Sequence, residues 1–229
     1  VLIGSVVLAV IATLLVGDFN WAVLGVCLLA AWVVLAGVRD IVEKTRHKGF
    51  FRGLPSLTRS YWGMQTAHLG MAVCALGVVL TSMGSFERDM RMAPGESVDI
   101  GGYQFIFEGA EHFEGPNFTS DKGTVRILED GQQIAVLHPE KRLYTVQQSV
   151  MTEAGIDAGI TRDLFVALGE PLENGAWAVR VHIKPFVRWI WFGALLMGLG
   201  GFLSACDKRY RTKVRTRVRD ALGMTGAHA

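Results

Sequence analysis

His68 is the residue whose type and placement point most directly to chemistry. It lies in the stretch 60–86, which is bounded by Arg59 and Glu87 and holds no charged side chain. It sits about six residues into the helix expected from residue 62, a depth of ~9 Å at ~1.5 Å per residue. An imidazole placed there has three uses: it can bind a haem iron axially, relay protons, or hydrogen-bond a neighbouring helix. On a helix, Met64, Gln65, Met71, Ala72 and Ala75 share its face. That face is apolar apart from Gln65 and carries no carboxylate, so it suits a flat apolar cofactor better than a proton wire. On the residues alone, haem ligation and a structural hydrogen bond stand level. One histidine supplies one axial ligand, and the second must come from elsewhere.

Other candidates are weaker. His112, His138 and His182 have no metal-ligand spacing and read as surface or strand histidines. His47 and His228 stand in basic segments. Cys27, Cys74 and Cys206 all fall in apolar blocks, so the stretch 84–186 has neither a disulfide framework nor a cysteine zinc site. No C-x-x-C-H is present, which excludes a c-type cytochrome. There is no phosphate-cradling glycine loop, no Ser-His-Asp order and no H-E-x-x-H. Glu108, Glu111 and Glu114, and the pair Glu140-Lys141, read as solvated faces. No catalytic residue is assigned.

The elements that must position His68 follow from where apolar and charged residues fall. The chain has 229 residues, is 50% apolar and only 19% charged, and has a mean hydropathy of +0.31. Those values exclude a disordered chain, a collagen-like chain and a coiled coil. The apolar residues form blocks at 1–17, 19–38, 60–86 and 189–206, each near the ~20 residues that cross a ~30 Å bilayer core. Residues 39–59 carry six basic and two acidic side chains, and the tail after residue 206 carries seven and two, whereas 84–186 carries nine basic and 16 acidic. Basic flanks stay on the cytoplasmic side. The pattern therefore predicts transmembrane helices at 1–17, 19–38, 62–83 and 187–206, with a basic cytoplasmic loop at 39–61 and a basic cytoplasmic tail at 207–229. The stretch 84–186 is then external. Trp21, Tyr61-Trp62, Trp189 and Trp191 suit the interfacial belts. The basic tail is read as a lipid-facing segment, at ~1 kcal/mol per base, rather than a nucleic-acid site. The chain opens at Val1 in hydrophobic sequence with no basic leader, so 1–17 is read as a span rather than a signal peptide, and the chain as a piece of a longer membrane protein. Small residues at helical spacing, Gly63, Ala67, Gly70, Cys74 and Gly77 in the third span and Ala194, Gly198, Gly201 and Ala205 in the fourth, predict a close helix–helix seam.

The 103 residues from 84 to 186 are long enough for their own core. Strands are expected at 103–107, 124–128, 134–137, 164–168 and 177–183, with turns at Gly101-Gly102, Asp130-Gly131 and Asn174-Gly175. Residues 145–162 carry no clear pattern. The fold class is thus a polytopic α-helical membrane protein with four transmembrane helices and an external all-β domain, a small antiparallel barrel or sandwich.

The run from Gly53 to Gly70, GLPSLTRSYWGMQTAHLG, resembles the C-terminal part of the CcmF family of c-type cytochrome biogenesis proteins. So do Pro139–Tyr144, Arg162–Gly169, and Lys184–Trp191 with Gly200-Gly201. The resemblance covers most of residues 40–206 in order and spacing. It implies a haem lyase component of the bacterial inner membrane, multi-pass, with 84–186 periplasmic. It implies haem b as cofactor, with His68 as one of two axial ligands and the other on an upstream helix. It implies as partners the haem chaperone CcmE, a CcmH-type thiol subunit and apocytochrome c, and it admits a membrane quinol. Haem would be reduced and passed from CcmE to the apocytochrome thiols. The family's tryptophan-rich motif is absent from these residues, and a nitrite-reductase-specific paralogue fits the same resemblance. Two other functions stand beside it. One is a non-enzymatic anchor whose β domain recruits partners. The other is a transporter segment using His68 as a relay, which needs a second intramembrane ionisable group.

Overall fold

The computed structural model describes residues 1–16 and 20–207. The expected basic tail from Lys208 onward lies outside the described residues. The chain divides into two compact units, 1–79 with 189–229, and 80–188.

The first unit is helical: α1 (Leu2–Val16), α2 (Trp21–Thr45), a short α3 (Phe50–Gly53), α4 (Arg59–Gly84, which runs on into the second unit) and α5 (Val187–Ala205). Of these, α2, α4 and α5 are long and apolar enough to cross a membrane. The 15-residue α1 falls short of that length, so the described helices give three spans of sufficient length where the sequence predicts four. The segment 39–61, expected as a loop, is largely helical. Two pairs one turn apart, Arg39–Glu43 at 2.8 Å and Lys44–Asp40 at 2.6 Å, carry α2 beyond its apolar run. Further on, Thr58 Oγ1 accepts from Tyr61 N at 3.2 Å, and Asp207 Oδ2 accepts from Ser60 N at 2.9 Å. Together they satisfy two of the donors that open α4.

The seam between α4 and α5 is built from glycine. A β-carbon on Gly63 would lie 2.5 Å from the Gly200 carbonyl, and one on Gly70 would lie 2.7 Å from the Gly193 carbonyl. Residues 63, 70 and 77 are seven apart, the interval that keeps one face toward a gently coiled neighbour. On α4 the expected residues form the seam. On α5 they do not: the contact is made by Gly193 and Gly200, while β-carbons on Gly198 and Gly201 would meet nothing within 4 Å. Both registers place small residues at helical spacing, and only the partner helix distinguishes them.

The second unit is a two-sheet β structure of ten strands: β1 (Phe86–Met92), β2 (Ser97–Ile100), β3 (Tyr103–Glu114), β4 (Phe118–Glu129), β5 (Gln132–Leu137), β6 (Glu140–Tyr144), β7 (Ser149–Glu153), β8 (Gly155–Ala158), β9 (Arg162–Pro171) and β10 (Trp177–Pro185). One sheet has the order β1-β10-β9-β8, and the other β2-β3-β4-β6-β7 with β5 also on β4. All pairings are antiparallel. Of the two architectures expected, this is the sandwich. At the β4–β5 turn, Asp130 and Gly131 have φ of +50° and +77°, the paired left-handed conformation of a two-residue hairpin.

Alternate residues of the two sheets meet in the core. Phe105, Phe107, Val125 and Ile127 come from one sheet, and Leu164, Val166, Val179 and Val181 from the other. All eight are fully buried or within 1% of it. Truncating a buried phenylalanine costs about 3–5 kcal/mol. Phe107→Ala is therefore expected to lower the melting transition of this unit by that free energy, while the solvent-facing Phe113→Ala, 53% exposed, leaves it within about 0.5 kcal/mol. Near-ultraviolet circular dichroism during a thermal scan reads both.

Candidate functional site

α4 positions His68 one turn beyond Met64, and the ring turns back onto that turn. His68 Nδ1 lies 2.8 Å from the Met64 carbonyl oxygen. A carbonyl oxygen can only accept, so Nδ1 carries a proton, and in the neutral ring Nε2 then keeps its lone pair. This is the tautomer and the anchoring that a metal-binding imidazole needs. In this chain the His68 side chain is exposed. It opens on two clefts between α2 and α4. One, of about 300 Å³, is lined by Trp32, Val33, Ala36, Gly37, Met64 and Gln65. The other, of about 170 Å³, adds Val34, Val38, Ile41, Trp62, Thr66 and Leu69. The clefts are apolar apart from Gln65 and Thr66; of the face expected around His68, Met64 and Gln65 line them, and Met71, Ala72 and Ala75 do not.

Four residues beside that cleft form a network that sequence alone does not assemble. Tyr61 donates to Asp40 Oδ2 at 2.6 Å, and Gln65 Nε2 donates to Tyr61 Oη at 2.8 Å. Lys44 Nζ donates to the same Asp40 oxygen and lies 4.2 Å from the centre of the Tyr61 ring. Gly37 makes room, because a β-carbon there would lie 2.7 Å from Gln65 Oε1. The expectation of a face without any carboxylate therefore holds for α4 alone; α2 brings Asp40 to it. Asp40 and Lys44, four apart on one helix, fall among the charges of the expected loop. The available signal is their spacing, together with Tyr61 and Gln65 at the same interval on α4.

The histidines of the β unit have partners of their own. In the β unit, His112 Nδ1 lies 3.0 Å from Asp121, and His182 Nε2 lies 3.3 Å from Glu87 and packs edge-on against Phe165. The Arg180 guanidinium, bonded to both Asp89 oxygens at 2.6 and 2.7 Å, holds that carboxyl below its ordinary range. Among the described residues no three His, Cys, Asp or Glu side chains gather as metal ligands.

The residues present meet one half of what a bis-histidine haem needs. They offer one imidazole with a free Nε2, a fixed tautomer and apolar walls beside it.

Comparison with known proteins fixes the family. Residues 84–185 match the family model described as the CcmF C-terminal beta-sandwich. A cytochrome c-type biogenesis protein CcmF of Pseudomonas fluorescens is 75% identical over 227 residues, covering 99% of this chain and 34% of that protein. The CcmF of Pseudomonas aeruginosa is 70% identical over 229 residues, covering 100% of this chain and 35% of that protein. A solved structure of "Cytochrome c Heme Lyase CcmF" superposes with a TM-score of 0.74 over 89% of this chain and 33% of that one, at 17% identity, which establishes a shared fold. The chain thus spans about a third of the length of the relatives it matches. With helices, sandwich and sequence all in agreement, the chain belongs to the CcmF family of cytochrome c-type biogenesis proteins, matching their C-terminal part.

Proposed function

We propose that this chain serves a haem lyase of cytochrome c maturation by supplying His68 as one axial ligand of a b-type haem held among membrane helices. The observation that carries the reading is the imidazole fixed by the Met64 carbonyl, with Nε2 free beside an apolar cleft. The Met64 carbonyl holds the tautomer. Val33, Trp32 and Met64 supply apolar lining to the cleft beside the ring. The Asp40–Tyr61–Gln65 network fixes α2 against α4, so the cleft keeps its width. When bound, the haem supplies an electron store for reducing the incoming haem iron. The second ligand lies on another helix of the longer protein. In this reading the acidic β unit stands on the periplasmic side of the inner membrane. There the partners are the haem chaperone CcmE, a CcmH-type subunit and the apocytochrome whose thiols receive haem.

The test is a reduced-minus-oxidised optical spectrum of the full-length protein purified in detergent. A b-type band with haem bound in near-stoichiometric amount supports the reading. Protein that folds and matures cytochrome c but purifies without haem overturns it, and leaves the scaffold function in its place. The Asp40 network favours one further reading, proton delivery to the His68 cleft, because Gln65 belongs to both the network and the cleft lining. Under that reading too the protein purifies without the band.

A further inference from the structure

Strand β9 is paired unequally on its two sides. Along one side β10 follows it from Arg162 to Pro171. Along the other, β8 follows it only from Asp163 to Val166. The chain preceding β8 would continue that ladder, but after a single residue, Ala154, it becomes β7 and pairs with β6 in the opposite sheet. One extended segment, 149–158, thus begins in one sheet and ends in the other. Where it crosses over, the stretch Ala167–Pro171 has no neighbouring strand on that side among the described residues.

The fork so formed opens on both faces. A cavity of about 480 Å³ borders Ala167, Gly169 and Ala178, with Phe165 and His182 at one wall and Thr152 of β7 at the other. A second, of about 330 Å³, runs between Glu170 and Pro171 of β9 and Val150, Leu143 and Lys141 of the opposite sheet. The fork lies at the end of β9 remote from Arg162, which pairs with Pro185 where β10 leaves the unit. The crossover therefore leaves the end of β9 without a ladder partner on that side: Ala167 and Leu168 are covered, Gly169 is half-buried, and Glu170 and Pro171 stand open.

The charges around the fork have one sign in excess. Arg180 is shared by Asp89 and Glu87, Arg142 by Glu140 and Glu153, and Lys141 is held by Glu170 at 2.6 Å. Asp121 lies 3.0 Å from His112 and stands opposite Lys141 across β4 and β6. In these pairs six carboxylates meet three permanent cations; Asp89, Asp121 and Glu170 line the two cavities themselves, and the whole stretch 84–186 has the same bias, 16 acidic to nine basic.

We infer that the fork between β7 and β9 is a docking site for an extended, positively charged polypeptide segment, which pairs with the open edge of β9. An unpaired strand edge offers alternating backbone donors and acceptors, and only another extended backbone satisfies them in series. The acidic surround selects the sign of its side chains. Ala167 and Gly169, with little or no side chain, leave room over the face of β9 beside that edge. The site uses no residue of the helical unit, so it stands independently of haem binding at His68.

The test uses the whole chain in neutral detergent and a fluorescein-labelled peptide of about ten residues, alternating threonine and lysine, a length typical of a strand. Saturable binding by fluorescence anisotropy is expected. A glutamate-for-lysine version and a version N-methylated at alternate backbone amides should each bind at least about tenfold more weakly, a difference of ~1.4 kcal/mol. The double substitution E153K/E170K should weaken the lysine peptide by a similar factor while the melting transition is kept. The two modified peptides need no variant and so test the idea even if that double substitution unfolds. Absence of saturable binding overturns the inference. So does equal binding of the N-methylated peptide, which would reduce the effect to charge alone.

Discussion

Replacing His68 with alanine in the full-length protein is expected to reduce the b-type band to about a tenth or less of its wild-type intensity, with helical content unchanged. The substitution removes the one imidazole nitrogen that the α2–α4 cleft presents, and water is a poor axial ligand in its place. Folding should not suffer. His68 is exposed in this chain, and its side-chain bond to the Met64 carbonyl is made within its own helix. Alanine also favours a helix by up to about 0.7 kcal/mol over histidine. Loss of haem with retained structure therefore separates a ligand from a packing residue. A second arm sharpens the distinction. Free imidazole added to the His68→Ala protein should restore part of the band, because the cleft lined by Val33, Ala36 and Gly37 remains open to it. His68→Gln, which keeps polarity without a basic nitrogen, should behave as alanine does. A band of wild-type shape and intensity in His68→Ala would remove this residue from the haem site.

The sandwich is legible in the sequence wherever a strand alternates and ends in a two-residue turn. The expected core strands lie within β3, β4, β5, β9 and β10, and the Asp130-Gly131 hairpin forms as its residues require. The strands that escape are those whose pattern is set by their neighbours. β1 reads Phe-Glu-Arg-Asp-Met-Arg-Met, too charged to suggest a strand, yet Asp89 stands directly opposite Arg180 on β10 and Glu87 opposite His182. Cross-strand charge pairs of this kind are visible only once both strands are placed. β7 and β8 share the unpatterned stretch 145–162 because the segment changes sheets at Ala154, which breaks any single alternation.

The same limit applies to the helical site. His68 is visible as a polar residue in an apolar run, and its apolar face is visible from period alone. The Asp40–Tyr61–Gln65 network is not, because its members come from two helices and two of them, Asp40 and Tyr61, fall in the expected loop. The tautomer of His68 also needs coordinates, since it depends on a bond to the turn below.

Gly70→Leu is expected to separate α4 from α5, at a cost of about 3 kcal/mol or more. A β-carbon at residue 70 would stand 2.7 Å from both the Gly193 carbonyl oxygen and the Met197 nitrogen, and 2.8 Å from the Leu196 β-carbon. Two of those three atoms are backbone, so no rotamer change relieves the clash and the helices themselves must move apart. The reciprocal change, Gly193→Leu, meets the Cys74 nitrogen at 2.5 Å and should cost as much. Within a bilayer no hydrophobic force holds two such helices together, and close backbone packing supplies most of their association. The control lies one face away. Gly198 and Gly201 have nothing within 4 Å of a β-carbon position, so leucine at either should be neutral or better, given the roughly 1 kcal/mol by which glycine disfavours a helix. Engineered disulfide formation between Ala67→Cys and Gly200→Cys would itself disturb the seam. A gentler readout is unfolding of this chain in mixed micelles, followed by circular dichroism. Equal destabilisation by leucine at 70 and at 198 would mean that the seam of α5 runs along the other small-residue stripe, and the Gly193–Gly200 register would be wrong.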